Sequence, residues 1–184
     1  MTVVLQFPTP YCLFGMPSTP EQSHTRLQSD LKQLWSTILA VLFISCGCVF
    51  ILWATPLPLD IQLIVLCFIL INMLYIFNLF LIFRDSVKSI RWMTVGEQVS
   101  QRIILQEMLH IQKEGLAKLV HFFLLGALSI GSILYYFFHN ILFVSACWLL
   151  IAGISSYNVI VSCFDIAWAR AAYTYWNKLL SSKL

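Results

Sequence analysis

Residues 119–164 read LVHFFLLGALSIGSILYYFFHNILFVSACWLLIAGISSYNVIVSCF, without a single Asp, Glu, Lys or Arg. That tract is about twice the ~20 residues that carry a helix across the hydrocarbon core of a bilayer. Its one internal break is His139-Asn140, where Asn140 suits an N-cap. A second tract, Gln33 to Phe83, carries only Asp60, and Thr55-Pro56-Leu57-Pro58 interrupts it. Two prolines stop one helix, and Asp60 suits the start of the next. The pattern predicts an all-α, polytopic membrane protein with four spans, at about 34–54, 61–83, 119–138 and 141–164.

Composition agrees. The 184 residues are 60% apolar and only 10% charged, against about 25% charged in soluble domains. Too few charges remain to clothe a soluble surface, and the hydrophobicity excludes disorder. A transmembrane β-barrel needs short alternating segments rather than continuous apolar runs.

The basic residues set an orientation. Arg26 and Lys32 precede the first span. Arg84, Lys88, Arg91, Arg102, Lys113 and Lys118 lie between the second and third, and Arg170, Lys178 and Lys183 follow the fourth. All 11 lie on one side of two hairpins, which the positive-inside rule places in the cytosol or its equivalent. Both termini are expected on that side. An endoplasmic reticulum membrane and a mitochondrial inner membrane fit equally. A net charge of +3 without a Lys/Arg cluster argues against nucleic acid as a partner.

Cap signals predict helices longer than the bilayer. Thr19-Pro20-Glu21-Gln22 reads as a helix start, and Thr94-Val95-Gly96-Glu97 as a second capping box. A helix from Pro20 to Ala54 would measure roughly 52 Å and one from Val95 to Phe138 roughly 66 Å. The third helix is thus expected to project over 95–117. Three segments follow: a hydrophobic arm at 1–18, a four-span domain at 19–165, and an amphipathic helix at 166–184. The arm has three prolines and no charged side chain, and lacks the basic region of a secretory signal.

Partner contacts are expected where apolar side chains have no obvious place in water or lipid. Phe7, Tyr11 and Phe14 of the arm qualify. So do Val99, Ile103, Ile104, Met108 and Ile111, which spread around the projecting helix instead of forming one stripe. In the last segment Trp168, Tyr175 and Trp176 share a face, with Arg170 and Lys178 opposite, a pattern suited to the lipid interface. Within the spans, Asn72, Asn78, Ser155, Asn158 and Ser162 are expected to pack between helices. Ala127/Gly131 and Ala152/Ser156 are small-residue pairs that permit close approach.

Catalytic signatures are missing. There is no Gly-rich phosphate loop, no G-x-S-x-G and no H-E-x-x-H. Cys46-Gly47-Cys48 has no second ligand pair. His110 and His121 share a helix face but stand about 16 Å apart, too far to ligate one haem iron. No cofactor or metal is expected.

The residues point to a non-catalytic, accessory subunit of a larger membrane complex, with other membrane proteins and phospholipids as partners. An alternative comes from layout. From about Trp35 to Leu184, two double-pass hairpins, a central connection opened by Trp92-Met93-Thr94 and an amphipathic end form an arrangement similar to reticulon-type ER-shaping proteins. That likeness implies bilayer shaping. A small lipid-handling enzyme or channel is a second alternative, if the polar faces of spans two and four enclosed a cavity.

Overall fold

The computed structural model describes residues 19–95, 98–139 and 141–181. It contains four long helices: α1 Pro20–Ala54, α2 Leu59–Met93, α3 Arg102–Phe138 and α4 Leu142–Ser181. All four are long and apolar enough to cross a membrane. The chain is thus all-helical, apart from a pair of two-residue strands described below, with four helices that could span a membrane as in a multi-pass protein.

The helix ends follow local chemistry. Thr19 Oγ1 accepts from the Gln22 amide at 3.3 Å, and Pro20 opens α1 where its missing N–H costs nothing. Thr55 ends the helix, its hydroxyl donating to the Ile51 carbonyl. Across the Pro56–Pro58 turn, the Gln62 side chain donates to the Leu57 carbonyl at 2.8 Å and ties α2 to its own entry. At the other break, His139 closes α3 with its amide 3.2 Å from the Tyr135 carbonyl.

The second capping box does not open a helix. α2 runs on to Met93, and Thr94–Val95 (β1) pairs antiparallel with Gln98–Val99 (β2), Thr94 opposite Val99 and Val95 opposite Gln98. Three of these four residues, Thr94, Val95 and Val99, are β-branched and favour extended backbone. The start signal moves to Ser100, whose hydroxyl oxygen accepts from the Arg102 amide at 3.3 Å. The projecting helix therefore begins at Arg102 and not at 95.

α3 is the central element and touches the other three helices. Against α1 and α2 it adds Ala117 to a core of Leu34, Ile38, Tyr75 and Leu79. Trp35 of α1 faces Phe83 of α2 with ring centroids 5.5 Å apart. Against α4 it runs antiparallel: Gly126 beside Ser155, Gly115 beside Ile166, and Met108 and Ile111 beside Ala169 and Ala172. At Gly115 a Cβ would stand 2.8 Å from Ile166 Cγ1, so only glycine permits that approach.

The segments that carry the basic residues meet as one packed unit, termed here the charged end: 20–33, 84–93, 102–118 and 165–181. Leu27, Ile103 and Met108 are fully buried there. The remaining two-thirds of the bundle, the apolar end, keeps large side chains outside, with Phe43 81% and Trp53 83% exposed. α4 is continuous from Leu142 to Ser181, so 166–181 extends the fourth span and is not a separate helix.

Candidate functional site

One face of α3 is polar where it is most buried. Glu107, His110, Glu114 and His121 follow one another at spacings of three, four and seven, so all four point the same way. All four are buried. Buried titratable groups normally need partners, and α1, α2 and α3 itself supply them.

His110 is the hub. Its Nδ1 lies 2.8 Å from Ser86 Oγ on α2, and its Nε2 lies 3.5 Å from Glu114 Oε2 one turn on. Glu114 Oε1 accepts from Lys118 Nζ at 2.7 Å. Burial lowers the His110 pKa, and Lys118 and Lys113 add to that against the pull of Glu114. The ring is therefore neutral at pH 7. With its proton on Nε2, facing Glu114, Nδ1 accepts the Ser86 hydroxyl proton. The chain Ser86–His110–Glu114–Lys118 thus crosses from α2 to α3 and along it.

Two neighbours extend the row. Toward the start of α3, burial pushes the Glu107 carboxyl above the ordinary carboxylate range, while the Ser23 hydroxyl and the Arg26 charge of α1 pull it back. Toward the apolar end, His121 stacks on Tyr75 of α2, with centroids 4.0 Å apart and planes 15° apart. Outside the row, Asp85 sits 3.4 Å from Arg84 and 3.7 Å from Lys113. These exposed pairs contribute little.

Ser, His and Glu in one chain invite comparison with a nucleophilic triad. Here the hydroxyl is not presented to any substrate, since Ser86 is 2% and His110 0% exposed. The Ser86–His110 bond joins α2 to α3. Among the described residues no group of three His, Cys, Asp or Glu is placed to hold a metal ion.

Comparison with known proteins adds no relative. No family model matches the chain, and neither a curated protein nor a solved structure matches it. The likeness in layout to reticulon-type proteins has no family match beside it.

The residues expected to meet partners divide. Phe7, Tyr11 and Phe14 lie outside the described residues. Val99 lies in β2. Ile103, Ile104, Met108 and Ile111 are all buried inside this chain. Their spread around the helix reflects α3's central position, with α1, α2 and α4 on different sides. They form the core of the charged end, and the expectation that they face other subunits does not hold.

The interface set divides too. Trp168 is half-buried against Met108, Ile111, Ala169 and Ala172, so part of the face assigned to lipid packs on α3. Arg170, Tyr175 and Lys178 are exposed, and the Trp176 ring meets Tyr175 at 5.7 Å, edge to face.

Of the span residues, Asn72, Ser155, Asn158 and Ser162 are buried between helices. Asn72 and Asn158 donate to their own helices, to the carbonyls of Phe68 and Ile154 at 2.8 Å. Asn78 is exposed on the outside of α2, its amide 2.9 Å from the Leu74 carbonyl. Among the described residues it is not buried between helices, contrary to expectation.

The Ser86–His110 contact was absent from the sequence reading. The one available signal was the shared face of Glu107, His110, Glu114 and His121, a heptad-like row of titratable groups on a helix otherwise rich in Ile and Leu.

Proposed function

We propose that this chain crosses its membrane four times as two helical hairpins, with both termini and the charged end on the positive-inside side. In that membrane it serves as a non-catalytic subunit of a larger assembly. Asn78 carries the reading. Within the second span its carboxamide faces outward, and beyond the Leu74 carbonyl it has no partner among the described residues. One N–H and most of the acceptor capacity of the side chain are left toward hydrocarbon. An unsatisfied amide there costs on the order of 1–3 kcal/mol, whereas a hydrogen bond across to another helix is worth roughly 0.6–2 kcal/mol. A second outward feature is consistent with this. Ala127 and Gly131 form a small-residue notch on the free side of α3, and a Cβ at Gly131 would meet nothing within 4 Å.

A partner therefore packs on the outer faces of α2 and α3, within the membrane, and the charged end is closed upon itself. Native electrophoresis of membranes in mild detergent, with mass spectrometry of the band, tests this. A band far above 21.2 kDa with a fixed set of other proteins is expected. A monomer, or a homo-oligomer alone, contradicts the subunit reading. Tubulation of liposomes by the purified chain would then favour bilayer shaping.

A further inference from the structure

Away from the polar row, α3 and α4 leave an open groove of about 540 Å³ between them. Leu119 lines it from α3, and Cys163, Ala167, Arg170, Ala171 and Thr174 line it from α4. Cys163, Ala167 and Ala171 recur every fourth residue, and their small side chains form the trough. The groove has a definite depth. Leu119 is the first residue of the charge-free tract and Phe164 the last. From Cys163 to Thr174 the groove runs roughly 16 Å along α4, out of the hydrocarbon and through the headgroup layer.

Among the described residues Arg170 is the one charged residue in the lining, which contains no carboxylate. Its side chain is exposed and makes no ion pair or hydrogen bond among the described residues. The Thr174 hydroxyl donates to the Arg170 carbonyl at 3.0 Å, so the guanidinium is the donor left to a ligand. A guanidinium fork matches phosphate oxygens in pairs.

We propose that this groove holds one anionic phospholipid of the surrounding bilayer. Its phosphate lies on the Arg170 guanidinium, and an acyl chain lies along Leu119, Cys163 and Ala167. The net positive lining selects an anionic lipid, and the apolar trough below it selects a lipid over a soluble phosphate. The inference rests on the membrane crossing proposed above, because only then does Arg170 stand at headgroup level.

The test is native mass spectrometry of the full chain released from nanodiscs of equal phosphatidylglycerol and phosphatidylcholine. One phosphatidylglycerol retained per chain, in preference to phosphatidylcholine, is expected. Arg170→Gln, an exposed position that does not threaten the fold, should weaken that retention about tenfold. Ala167→Trp should abolish it by filling the trough, with helix content checked by circular dichroism. Equal retention of both lipids, or phosphatidylglycerol unchanged in both variants, overturns the proposal and leaves annular lipid only. Loss of a co-purifying protein from Ala167→Trp, with lipid unchanged, assigns the groove to a partner helix and equally overturns it. An error in the orientation shows separately. Asn177→Cys, an exposed position outside the groove, in a chain with Cys12 replaced by Ser, would then react in sealed vesicles with an impermeant maleimide from the side opposite the positive one, without moving the lipid count.

Discussion

Leu27 of α1 and Met108 of α3 are sealed inside the charged end, while Phe43 of the same α1 and Phe123 of the same α3 stand on the outside of the apolar end. Placed in a membrane as proposed, the same helices follow two rules along their length. Where water surrounds them, burying Leu, Ile and Met is itself the driving force. Where lipid surrounds them, an apolar side chain gains nothing by turning inward, and contact depends on close packing and polar groups. Most polar groups of the apolar end take one bond within their own helix: Ser45, Asn72, Asn78, Ser129, Ser132 and Asn158 each donate to a carbonyl one turn back, whereas Ser155 Oγ has no partner among the described residues and His121 meets the Ile71 backbone of α2. The charged end joins Ser86 of α2 to His110 of α3. Specific pairing between α2 and α3 thus rests on Ser86 with His110 in the charged end and on His121 with Tyr75 and the Ile71 backbone in the apolar end.

The contrast can be broken by truncating one residue at each end. Met108→Ala removes a fully buried side chain and should cost about 2–5 kcal/mol of unfolding free energy. Denaturant titration in detergent, followed by circular dichroism, reads the change. A loss under 1 kcal/mol would mean that the charged end is not the stability core.

Ser86→Ala sharpens the claim about the polar row. It leaves His110 Nδ1 buried without its donor, which costs roughly 1–3 kcal/mol. Ser86→Thr, which keeps the hydroxyl, should lose less. Equal losses would show that packing and not the hydrogen bond matters.

Acid should loosen the charged end first. Burial lowers the His110 pKa from its ordinary 6.5, so the unfolded chain binds the proton more readily than the folded one. The stability this group contributes is whole above pH 6.5 and is lost as pH falls from there through the folded-state value. Glu107, with its carboxyl pushed up by burial, works in the other direction: the folded chain holds its proton more readily, which offsets part of the acid loss from its ordinary 4.5 up to the raised value. His110→Asn should flatten the decline in unfolding temperature between pH 7 and pH 5.5, and an unchanged decline would remove His110 from the account.

The smallest effect belongs to the apolar end. Phe43→Ala takes away a side chain that is already exposed, and should change the stability of the isolated chain by no more than about 0.5 kcal/mol.

Much of this architecture was legible beforehand. The two nearly charge-free tracts and their breaks at Pro56–Pro58 and His139-Asn140 located all four helices. Thr94-Val95-Gly96-Glu97 misled because a capping box does not by itself start a helix, and the choice fell to the β-branched Thr94, Val95 and Val99 and the continuation of α2 to Met93. Asn72 and Asn78 looked equivalent, yet six residues place them about 120° apart on a helix. One is buried and the other faces out, and which face meets α3 is decided by the fold. Ser86 and His110 lie on different helices, so no local pattern links them. The breadth of the apolar surface on α3 was visible, but its cause was a central position among three neighbours, which only packing reveals.

As proposed here, this chain is closed at its charged end and open to partners across its spans. The most direct test is native electrophoresis of the Asn78→Leu variant beside the unaltered chain, from the same membranes. The unaltered chain should run in a large complex, and the variant should fall to the size of the free chain with its unfolding curve unchanged. A variant that stays in the large band would contradict the assignment of the outer face of α2 as the place where partners bind.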